Sequence, residues 1–76
     1  MEPNEIISAI LARKGISQVK FSRMLGNTDK FISVIFSQNR EPKARTLARY
    51  CDLLDYDLIV RSREDGSEYF ITPREP

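Results

Sequence analysis

Apolar positions along the chain follow two rhythms. As far as Leu54 they recur at three- and four-residue spacings, the period of one helix face; from Leu58 onward they gather into short consecutive runs. Ile6, Ile7, Ile10 and Leu11 form the first stripe and predict an amphipathic helix over residues 5–14. Arg13 and Lys14 suit its last turn, Gly15 stops it, and Pro3 fits before it or in its first turn. Phe21 and Leu25 mark a second helix, opened by Ser17 and closed at Gly26, where a left-handed cap is wanted. Ile32 and Ile35 mark a third, with Thr28 offering the capping oxygen at its start. Leu47, Tyr50, Cys51 and Leu54 share one face of a fourth helix over residues 43–54.

The second rhythm is that of strands. Leu58-Ile59-Val60 and Tyr69-Phe70-Ile71 are β-favouring runs, and Asp65-Gly66 between them is a hairpin signal. A two-residue turn there would set Ser62 opposite Tyr69, Val60 opposite Ile71 and Arg63 opposite Glu68. A lone two-stranded hairpin is marginal in water, so its own helices or a second copy of the chain should cover it. Residues 73–76 are expected to fray.

The second and third helices, joined by a turn of about three residues, make a helix-turn-helix over Gln18 to Ser37. Charge supports that reading more than the net value of +1 suggests. Residues 17–50 carry seven cations against Asp29 and Glu41, whereas residues 51–76 carry three cations against seven acids. A basic middle that contains the helix pair suits a nucleic-acid face.

Composition then narrows the classes. With 41% hydrophobic and 30% charged residues the chain suits a soluble domain. No apolar run approaches the roughly 20 residues of a membrane span, and Met1-Glu2-Pro3 is no secretory leader, so a cytoplasmic location is expected with no membrane partner. The single Cys51 and the absence of His leave no disulfide, no transition-metal ligand set and no activated thiol; no cofactor is expected, and Cys51 reads as a core residue. Asp52, Asp55 and Asp57 cluster, but no motif joins them, and an enzyme is not expected.

The run Ile16-Ser17-Gln18, with Phe21, Ser22, Leu25, Gly26, Thr28, Ile32, Ser33, Ile35, Arg40 and Pro42, resembles the Cro/CI-type, or XRE, helix-turn-helix family over residues 5–56. The resemblance implies a mainly α, lambda-repressor-like bundle of four to five helices; a C-terminal β-hairpin would follow it. Residues 1–56 would then form the DNA-binding domain, and residues 57–76 a hairpin and tail available for dimerisation. The chain departs from the family pattern at Ser22, where Ala is usual, at Asn27 in the turn, and at Gln38, near a common Gly. Phe36 stands where many members carry a Glu paired to the position of Leu11, so an apolar Leu11–Phe36 contact is expected instead.

On this reading double-stranded DNA is the partner. The leading end of the third helix enters the major groove, with Thr28, Asp29, Lys30, Phe31, Ser33 and Val34 as base-contact candidates. Asp29 has a competing role in the helix's first turn, where an acid is favoured. Gln18, Asn39, Arg40, Lys43 and Arg45 are candidates for the phosphate backbone. A domain this small makes few base contacts, which favours a homodimer that reads two half-sites. The expected function is a sequence-specific repressor. Two alternatives stay open: the antitoxin of a toxin–antitoxin pair that represses its own operon, and a protein-interaction module that has lost DNA binding.

Overall fold

The computed structural model describes residues 1–73; part of the expected frayed tail therefore falls outside the described residues. The element order is α1 (Pro3–Lys14), α2 (Gln18–Met24), α3 (Phe31–Ser37), α4 (Ala44–Leu53), β1 (Ile59–Arg61) and β2 (Glu68–Phe70). The chain is mainly α, as its periodicity predicts. It divides into two compact units, one spanning Met1–Pro42 and one beginning at Lys43.

In the first unit α1 starts with Pro3 in its first turn and a capping box in which the Glu2 N–H donates to the Glu5 carboxylate at 3.1 Å. Ile7, Ile10 and Leu11 are buried as expected, but Ile6 is exposed. The inward position one turn before Ile7 belongs instead to Asn4, whose Nδ2 donates to the carbonyl of Arg40 at 2.6 Å. A polar core residue of this kind does not register in apolar periodicity. Phe36 is half-buried and lines a cleft with Asn4, Ser8 and Ala12 of α1; Leu11 is buried but does not line that cleft.

The helix ends share one device. Gly15 and Gly26 take the left-handed conformation after α1 and α2, while Asn39 (φ 51°) and Asp55 (φ 64°) do so after α3 and α4. In each case the next residue's N–H reaches back to close the last turn: Ile16 to Leu11, Asn27 to Ser22, Arg40 to Ile35 and Tyr56 to Cys51, at 2.8–3.1 Å.

In the second unit α4 buries Ala48, Tyr50, Cys51 and the following Leu54. Burial pushes the Cys51 thiol above its ordinary pKa, with Asp57 adding to the shift, as suits a core residue. Strands β1 and β2 pair antiparallel, but not in the expected register. Ile59 faces Phe70, Val60 faces Tyr69 and Arg61 faces Glu68. The reason lies in the turn. Ser62 Oγ accepts from the N–H groups of Glu64 and Asp65, and Asp65 Oδ1 accepts from the Ser67 N–H at 2.9 Å. These local bonds build a four-residue loop, Arg63 to Gly66, which the Ser62 N–H closes onto the Ser67 carbonyl at 2.8 Å. Val60, Tyr69 and Phe70 are left 57%, 69% and 61% exposed.

Candidate nucleic-acid interface

The geometry of the helix pair follows from one buried hydroxyl. Helix α2 begins with a side-chain cap, Ser17 Oγ accepting from the Lys20 N–H at 3.0 Å. Helix α3 has none. Its first helical residue is Phe31 rather than a residue next to Thr28, and Lys30 at its N-cap makes no side-chain cap bond. Residues 28–30 form instead a tight turn in which the Phe31 N–H donates to the Thr28 carbonyl at 3.0 Å. The missing acceptor comes from the neighbouring helix: Ser22 Oγ, fully buried, donates to the Gln18 carbonyl at 2.8 Å and accepts from the Ile32 N–H at 3.0 Å. Ser22 thus does more than substitute for Ala where α2 and α3 pack together. It ties the start of α2 to the start of α3.

Ile32 is wholly enclosed, and Ile35 and Phe31 are half-buried. The outward positions are Thr28, Asp29, Lys30, Ser33 and Val34, all exposed. The Ser33 hydroxyl turns back to donate to the Lys30 carbonyl at 3.0 Å. Asp29 is held by Arg23 of α2 through two bonds, Nε to Oδ1 at 2.8 Å and Nη2 to Oδ2 at 2.9 Å. These bonds hold the Asp29 carboxyl below its ordinary pKa and raise that of Arg23.

Among the backbone candidates, Gln18 is exposed at the first turn of α2, and Asn39 and Arg40 are exposed in the loop that closes α3. Lys43 and Arg45 lie in the second unit, at the N-cap and first turn of α4, where Lys43 supplies no side-chain cap. A helix start of this kind, with two cations, favours an anion. Sequence reasoning missed three contributors to the site: Ser22 as a hydrogen-bond relay, Asn4 as the anchor of the Arg40 carbonyl, and the Arg23–Asp29 pair. The last spans a turn, so no helical spacing advertises it. No group of three or more His, Cys, Asp or Glu among the described residues could hold a metal ion.

Two short helices crossing at a small buried residue, with the second one's leading end outward, define a helix-turn-helix. A helix-turn-helix family model matches residues 7–60. The chain belongs to that family, in its Cro/CI-type or XRE form, whose domains bind DNA as regulators rather than acting as enzymes. Comparison with curated proteins gives no match, and comparison with solved structures gives none either. No helix among the described residues is long and apolar enough to cross a membrane.

Proposed function

We propose that this chain is a sequence-specific DNA-binding repressor that works as a homodimer, each copy setting the leading end of α3 into a major groove. The observation that carries this reading is the accessibility of that end. Lys30 and Val34 point outward around the enclosed Ile32, and the one acid there is already paired with a cation. Lys30 would donate to guanine O6 and N7, while Thr28 and the exposed part of Phe31 would meet thymine methyls. Ser33 and Val34 extend the same face. Gln18, Asn39 and Arg40 would grip phosphates, as would Lys43 and Arg45 at the start of α4. Repression would come from occupying an operator, and a role in bacterial-type DNA control would put the chain in the cytoplasm. Residues 1–56 would serve DNA and residues 57–76 the dimer.

The exposed Val60 and Tyr69, cross-strand partners on one face of the hairpin, support the dimer, because a second copy would cover them. The same patch favours one other reading: an antitoxin whose hairpin carries its toxin and which represses their shared operon. Selecting bound duplexes from a random pool tests the proposal. An enriched inverted repeat with half-sites about one helical turn apart is expected. Failure to retain any duplex at low salt would overturn the regulator and leave a protein-interaction module.

A further inference from the structure

We propose that Arg23 and Asp29 form a positioning pair: Arg23 cancels a carboxylate at the leading end of the recognition helix and fixes the turn before it, so Asp29 reads no base. This rests on the DNA-binding reading above. Both carboxylate oxygens of Asp29 accept from the one guanidinium, at 2.8 and 2.9 Å, which occupies the fork of each partner. Both partners are more than half exposed, and exposed ion pairs contribute little to stability as a rule. Its consequence lies at the duplex. An unpaired carboxylate in the turn that leads into α3 would meet the phosphates as the groove is entered, and the repulsion would be felt by every sequence alike. The pair also joins the last turn of α2 to that turn, where α3 lacks a side-chain cap of its own.

The test is a set of four variants titrated against a mixed-sequence DNA duplex at low salt. Arg23→Ala should bind about tenfold more weakly than the unaltered chain, with the gap closing as salt rises. Asp29→Ala should bind as well as the unaltered chain or better, and the double variant Arg23→Ala/Asp29→Ala should recover its affinity. Arg23→Ala/Glu64→Ala has the net charge of that double variant but keeps the bare Asp29, and should stay weak. A double variant no better than Arg23→Ala would show that Arg23 grips DNA itself, and equal rescue by Glu64→Ala would show that only net charge matters; either overturns the pair. So would an Arg23→Ala variant that binds like the unaltered chain. If the unaltered chain binds no duplex, the DNA reading falls and the pair falls with it, whereas binding without the rescue pattern sinks the pair alone.

Discussion

Ser22 sits fully buried between two backbone groups, the Gln18 carbonyl and the Ile32 N–H. Replacing it by Ala fits the space and leaves the Ile32 amide without its acceptor inside the protein. A buried donor stranded in this way costs about 1–3 kcal/mol, so Ser22→Ala should lower the urea midpoint accordingly. A change under about 0.5 kcal/mol, within the ordinary scatter of surface substitutions, would mean the amide finds another partner. The outward residues make a different kind of claim. Lys30→Ala should cost about 1–3 kcal/mol at one base position and relax preference there. Arg40→Ala should weaken all duplexes alike and flatten the salt dependence by about one unit. Equal losses for Lys30→Ala on every sequence would move it to the backbone set, and an unchanged salt slope would remove Arg40.

At the scale of elements, the four helices follow from apolar spacing, because a buried stripe constrains many residues at once. Their ends are harder to read. Gly15 and Gly26 announce left-handed caps, but Asn39 and Asp55 adopt the same conformation with side chains that tolerate it, and nothing in the spacing marks them. The start of α3 escapes a local reading because its acceptor belongs to another helix. The hairpin's existence is legible in its β-favouring runs, while its register is decided by Ser62 and Asp65, whose side chains bond the loop backbone. Asp65 offers a direct check. The Ser67 N–H holds its carboxyl below the ordinary pKa, so the folded loop favours the ionised form. The loop's stabilisation should be intact above the ordinary carboxylate range and fade as pH falls through the lowered value. The Ser67 amide shift followed by NMR should titrate with that low midpoint. A midpoint at the ordinary value would mean the bond is not held in solution.

For the whole molecule, the charge segregation seen along the chain matters more than the net +1. Residues 17–50 carry seven cations against two acids and residues 51–76 three against seven, an asymmetry along the chain that suits attraction of its basic stretch to DNA. Dimerisation is the claim at this scale with the clearest measurement. Val60→Lys with Tyr69→Lys should halve the mass found by sedimentation at micromolar concentration, and should abolish cooperative binding to an inverted repeat while sparing a single half-site. A monomeric mass for the unaltered chain, free and on DNA alike, would rule out the dimer.

The manner in which α3 is supported bears on how such a protein changes its target. Its anchorage comes from behind, through Ile32 and the serine of the adjoining helix, so among the described residues the outward Lys30 and Val34 side chains are left without a bond to the rest of the fold. On the proposed reading, Lys30 and Val34 should therefore be exchangeable together. The altered chain should melt where its parent does and select a different set of duplexes, as a scaffold open to retargeting by few mutations would.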